Sequence, residues 1–304
     1  MAKAHSLAQR IALLVLVAVL SYAIVYPVTW VVLTSLRKFG ASLPTEKISL
    51  LDALFPKPDS LPSSIEETTY YMLLFKTKFP LFMWNSVYVS TLTMLLAVLV
   101  GTMSGYAFSR YNFPGKRKLL WTLLVLNSIP GLVTFIPLYR LLVFYDQTFR
   151  AIGLPKGTFL GPGGLILVYL AGAIPYSSWF LKSFFDTIPR ELDEQALVDG
   201  ATPFQIFWKI TLPLALPGIA TIAILVFLGA WNEFMLATLL LSNENYYTLP
   251  VFITQLRNQQ YASTYGGIPA FAAASFMASI PVVILFVVSQ KYLKSGLTMG
   301  AVKG

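Results

Sequence analysis

The sequence predicts an all-α polytopic membrane protein with six transmembrane helices, both termini on the cytoplasmic side, and a short cytoplasmic helix between spans four and five. Three observations carry that reading. The 304 residues are 56% hydrophobic and 12% charged, with a mean hydropathy of +0.69, whereas soluble domains carry about 25% charged residues. Six apolar runs, 11–33, 82–108, 119–142, 163–184, 213–241 and 270–289, approach or exceed the roughly 20 residues needed to cross about 30 Å of hydrocarbon. A β-barrel would show alternating segments of about ten residues instead. Finally, an inside N-terminus puts Lys3, Arg10, Arg110, Lys116, Arg117, Lys118, Arg190, Lys209, Lys291, Lys294 and Lys303 on one side, where Lys182 can join them by snorkelling. The outer segments carry nearly as many basic residues over a greater length, and short loops beside the bilayer set orientation.

The same bias accounts for the net charge of +9 without any nucleic-acid partner; the partner that the composition demands is the lipid bilayer. There is no cysteine, which excludes disulfides and thiolate chemistry. The only histidine, His5, sits in the N-terminal tail and reads as a solvated residue. The apolar character of the first run continues to Leu33, longer than the roughly 7–15 residues of a secretory h-region, so it reads as an uncleaved span.

After span one comes a long outer loop rich in proline (Pro44, Pro56, Pro58, Pro62, Pro80) that ends in Tyr70, Tyr71, Phe75 and Phe79. Aromatics at headgroup depth, or a docking surface for an external partner, both fit. Span two contains Gly101-Thr102-Met103-Ser104-Gly105, and small residues four apart let helix backbones approach closely in lipid. Ordinary packing within the chain is the expectation there. A tight turn, 110–118, with Pro114-Gly115 as breaker, leads to span three.

Pro130-Gly131 and Pro137 interrupt span three, and Pro175 interrupts span four, because proline removes a backbone hydrogen bond. Span five holds Asn232 and Glu233, the only carboxylate at membrane depth. A charge at a helix centre costs about 2.5–3.5 kcal/mol on insertion scales, so Glu233 must face other helices or a hydrophilic pathway. The outer loop 242–269 mixes Tyr246, Tyr247, Tyr261 and Tyr265 with Asn and Gln, side chains that suit sugar or protein contact. Gly296, Gly300 and Gly304 favour an extended tail over a helix.

Between spans four and five lies a polar island, 188–218, with Glu191, Asp193, Glu194 and Asp199. Pro189 suits a helix start, early acids favour the positive helix end, and Gly200 suits a left-handed stop. Thr202, Pro203 and Gln205 then form a capping box for a second helix, whose apolar residues Phe204, Phe207, Trp208 and Ile210 suit the membrane interface. There is no P-loop for ATP, no metalloprotease or hydrolase motif, and one intramembrane acid is a thin supply for proton coupling. The chain reads as a pathway with no visible energy source.

Within the island, Glu194-Gln195-Ala196, Gly200 and Ile210-Thr211-Leu212-Pro213 resemble the EAA signature of ABC-importer permease subunits, with Gln195 as the one departure. The segment 188–194, the 110–117 turn, Trp231-Asn232-Glu233-Phe234 and the tail 296–304 resemble the carbohydrate branch, most closely the G-type permease subunits of maltose/maltodextrin importers. The resemblance implies one permease domain over 1–304 in a bacterial or archaeal cytoplasmic membrane, with a non-catalytic role. It implies a second permease subunit, two ATPase subunits that hold the ATP and magnesium, an extracytoplasmic sugar-binding protein, and no cofactor in this chain. It further implies that Glu191, Leu192, Glu194, Ala196, Asp199, Gly200 and Ala201 meet the ATPase, and that Gly296, Leu297, Thr298 and Gly300 reach toward it. Another solute such as glycerol phosphate, a self-sufficient channel or carrier, or a non-transporting receptor or scaffold are the competing expectations.

Overall fold

In the computed structural model, residues 7–41, 58–129, 131–153, 155, 157–256 and 258–300 are described. His5, Pro44, Pro56, Pro130 and the end of the tail, 301–304, lie outside them. The described residues are helical apart from short turns and one isolated bridge between Lys38 and Thr68. They are α1 (Leu7–Ser35), α2 (Thr69–Lys76), α3 (Phe79–Arg110), α4 (Lys116–Ser128), α5 (Gly131–Arg150), α6 (Pro162–Phe185), α7 (Glu191–Val198), α8 (Pro203–Ile206), α9 (Leu212–Asn232), α10 (Met235–Leu240), α11 (Leu249–Gln255), α12 (Gln259–Tyr265) and α13 (Gly267–Gly300). Five stretches among the described residues are long and apolar enough to cross a membrane, within α1, α3, α6, α8–α9 and α13; α4 and α5 make a sixth only as a pair bent by 102°.

Four sequence expectations change. Span three is interrupted once and not twice: α4 and α5 are separate helices bent by 102° after Ser128, while Pro137 lies inside α5. The end of α4 suits a break: Asn127 and Ser128 turn their side chains back onto the carbonyls of Leu123 and Leu124. Pro175 does not break span four, because α6 runs through it; one missing N–H costs a single bond that the flanking turns tolerate. The run 213–241 is not one span, since α9 stops at Asn232 and Met235–Leu240 is a separate helix. Its residues are apolar because Leu236, Ala237, Leu240 and Leu241 are buried against Val89, Leu142, Leu165 and Ile166. Finally, α13 continues through Gly296 to Gly300, so the tail is helical that far: propagation from a long apolar helix outweighs about 1 kcal/mol per glycine.

The chain forms two compact units, one from residues 1–80 and 252–280, the other from 81–251 and 281–304. In the first, the outer loop is partly built. The Thr69 hydroxyl donates to Arg37 O at 2.7 Å, Ser35 and Tyr70 share a 2.6 Å hydrogen bond, and Lys38 pairs with Glu67 at 3.2 Å. Of its four aromatics, Phe79 is buried and Phe75 is exposed. In the second, α3 and α6 pack closely, as the small residues lead one to expect. A Cβ on Gly101 would lie 2.6 Å from Ser177 Cβ, and one on Gly105 2.9 Å from Leu181 Cβ. Ser104 and Ser178 hydrogen-bond across that contact at 2.7 Å.

Candidate functional site

The island folds as its capping signals require. Helix α7 ends in a Schellman motif: Gly200, at φ +83°, donates to Leu197 O (3.0 Å), and Ala201 donates to Ala196 O (2.9 Å). Nothing lies within 4 Å of a Cβ on Gly200, so the constraint there is the left-handed backbone and not space. The Thr202 side chain accepts from Gln205 N and the Gln205 side chain accepts from Thr202 N, completing the box. The second helix does not stand alone, however. Helix α8 passes through a π-helical stretch, Phe207–Thr211, straight into α9. Pro213 has no N–H to return to the preceding turn and its ring crowds the carbonyl four residues back, and widened turns of this kind often mark functional positions.

Beneath α7 lies a polar cluster. Arg110, the last residue of α3, forms an ion pair with Asp193 at 2.6 Å, and the two side chains are only 7% and 15% exposed. Asp193 also accepts from the Thr211 hydroxyl at 3.1 Å. Two arginines clasp reciprocally: Arg110 donates to Ile188 O (3.1 Å) and Arg190 donates to Ser109 O (2.6 Å). Ser109 donates to Asp186, which also pairs with Lys182. Partial burial by itself raises the Asp186 carboxyl, but hydrogen bonds from Lys182 and Ser109 outweigh it and hold the group below its ordinary value. Tyr106 packs its ring against Phe185 (5.7 Å) and Phe207 (4.7 Å) on the same side.

The other face of α7 is bare. Glu191, Glu194, Gln195 and Val198, spaced as one helical stripe, are exposed, Val198 to 89%, and with Asp199 they line an open hollow. Leu192 is exposed as well, whereas Ala196 is buried and Ala201 half-buried. The structure thus brings together Glu191, Glu194 and Asp199 on one surface. It places Gly296, Leu297, Thr298 and Gly300 in the last turns of α13.

Glu233 occupies a break and not a helix centre. Its backbone is extended (φ −73°, ψ 128°). Its carboxylate accepts from Leu236 N (2.8 Å) and Ala237 N (3.1 Å), capping the positive end of α10. The Tyr169 hydroxyl of α6 donates to it at 2.6 Å. Asn232 is exposed and bonds its own helix at Leu228 O. A second acid escaped the sequence reading: Asp146 of α5, nearly buried, accepts from the backbone N–H groups of Gly157 and Phe159.

Residues 69–298 match the family model of the binding-protein-dependent transport system inner membrane component. The chain belongs to this family. The maltose/maltodextrin transport system permease protein MalG of Vibrio vulnificus is 40% identical over 223 residues, 73% of this chain and 72% of that protein. The trehalose transport system permease protein SugB of Mycobacterium tuberculosis is 35% identical over 283 residues, 90% of this chain and 97% of that one. Among solved structures, a bacterial ABC transporter involved in alginate import shares the fold, with a TM-score of 0.68 at 24% identity over 95% of this chain and 99% of that one.

The protein is therefore a multi-pass permease of the inner membrane, the non-catalytic component of a binding-protein-dependent importer. Within this permease the sequence reading anticipated the short helix α7 and its Gly200 stop. It missed the buried clasp that holds α7 in place, Arg110, Asp193 and Thr211. Their only sequence signal was a basic residue closing one apolar span and an acid opening the island, with nothing to pair them.

Proposed function

We propose that this permease forms half of the translocation pathway for maltose, maltodextrin or a related sugar, with α7 as its coupling helix. In this reading residues 1–304 are one permease domain, both termini are cytoplasmic, and the other half of the pathway is a second, different permease subunit. Two ATPase subunits supply the ATP and magnesium, so this chain needs no cofactor. An extracytoplasmic binding protein delivers the sugar to the outer loops. The exposed stripe of α7, centred on Glu194, seats on an ATPase subunit, and the end of α13 reaches toward the same partner.

The observation that carries the reading is the asymmetry of α7. One face is bare, with Glu191, Glu194 and Val198 exposed, and the other is fixed through Asp193 to α3 and to the π segment that opens α9. A helix held in that way passes a push on its free face to α3 and α9 together. The basic turn 110–118 supports the orientation, and the substrates named for MalG and SugB support the sugar class.

The test is uptake by proteoliposomes containing this chain, its partner permease and the ATPase, with the binding protein outside. The expected result is maltose uptake that requires both ATP and the binding protein. Uptake by this chain alone would contradict the proposal and identify a self-sufficient channel or carrier.

A further inference from the structure

Among the helical glycines of the second unit, two groups contrast. A Cβ on Gly101, Gly105 or Gly218 would come within 2.6, 2.9 or 2.5 Å of a neighbouring side chain, so close packing requires them. Gly172 in α6 and Gly229 in α9 differ: a Cβ on either would meet nothing within 4 Å, and neither has a positive φ. A glycine inside a helix costs about 1 kcal/mol relative to alanine. Here neither packing within the chain nor backbone conformation offsets that cost.

Both glycines line one cavity of about 410 Å³, within the range of about 300–1,000 Å³ usual for small-molecule sites. Its walls come from α3, α4, α6 and α9, through Thr93, Asn127, Tyr169, Tyr176 and Leu225. Counted from Arg110, Phe185 and Leu212, the positions Thr93, Gly172 and Gly229 lie about 20–26 Å along their helices, at depths that correspond. None of the lining residues is charged, and the chemistry is that of a polyol site. Thr93 is 1% exposed and its hydroxyl has no partner, a state that costs about 1–3 kcal/mol when left unfilled. Asn127 donates one amide hydrogen to Leu123 O and keeps its carbonyl oxygen and second hydrogen. Tyr169 is oriented by its hydrogen bond to Glu233, and Tyr176 is exposed.

We infer that this cavity is a subsite for a neutral sugar, contributed by this permease itself. Gly172 and Gly229 leave the space open, Tyr169 and Tyr176 give aromatic faces for the C–H faces of a pyranose, and Thr93 and Asn127 bind its hydroxyls. The assignment rests on the importer reading above and narrows it: with no cationic side chain in the lining, the subsite excludes a phosphorylated solute such as glycerol phosphate.

The natural absence of cysteine supplies the experiment. Gly172→Cys and Gly229→Cys each put a single thiol in this subunit of the complete reconstituted importer. Its reaction with a small hydrophilic alkylating reagent is followed with and without maltose. Maltose at ten times its apparent Kd is expected to slow alkylation by about tenfold, and glycerol 3-phosphate is expected to leave it unchanged. As a second measurement, Tyr176→Ala is expected to raise the KM for maltose by about fivefold, with Tyr176→Phe near the parent value. An importer that moves maltose while both thiols react equally with and without it, or cross-link to the partner permease instead, overturns the subsite alone. An importer that moves no sugar overturns the substrate reading and the subsite with it.

Discussion

The rod that runs from Pro203 to Asn232 is held at both ends by a carboxylate, and the two ends are held differently. At the α8 end, Asp193 reaches across elements: its partners are Arg110 on α3 and Thr211 in the π stretch. At the far end, Glu233 bonds mainly to the next turn of its own chain, the N–H groups of Leu236 and Ala237, with Tyr169 as its one partner on another helix. The first arrangement joins α3 to the π segment that opens α9. The second ends a span and starts a new helix inside the bundle. The same functional group thus serves as a clasp in one place and a cap in the other, according to whether its partners are distant side chains or neighbouring backbone.

The largest effect that separates these roles is expected at the clasp. Asp193→Ala leaves Arg110 buried without its counter-charge, which costs about 3–5 kcal/mol and should appear as a lower melting temperature of the purified assembly. Because a well-packed apolar pair can replace a buried ion pair, Arg110→Met with Asp193→Leu should recover most of the loss. A single variant as stable as the parent would show that the pair fastens nothing. A smaller effect, about 1–3 kcal/mol, is expected from Glu233→Ala. Backbone hydrogen exchange should then speed up in α10 and stay unchanged in α7; acceleration in both would erase the distinction between cap and clasp.

Local chemistry made much of the island legible. Thr202, Pro203, Gln205 and Gly200 each declare a cap through interactions with residues within a few positions, and the structure contains those caps. Arg110 and Asp193 were not legible as a pair, because periodicity carries no information about which distant side chains meet. The break at Glu233 was hidden for a related reason. Hydropathy reports that 213–241 is apolar, but a buried helix such as Met235–Leu240 and a lipid-facing one share that composition. Prolines gave no clearer signal: Pro137 and Pro175 both lie within continuous helices, because neighbouring turns can re-satisfy the freed backbone groups.

If α7 passes work done elsewhere to the spans, Gly200 is the position at which that transfer can be cut. Its backbone sits at φ +83° and donates to Leu197 O, whereas proline fixes φ near −65° and has no N–H to give. Asparagine tolerates the left-handed region and serves as the control. In the complete reconstituted importer, the quantity to measure is maltose moved per ATP hydrolysed. Gly200→Pro is expected to assemble in the membrane and to turn over ATP with little sugar moved, while Gly200→Asn stays close to the parent ratio. A Gly200→Pro importer that moves maltose at the parent ratio would show that α7 is not the coupling helix.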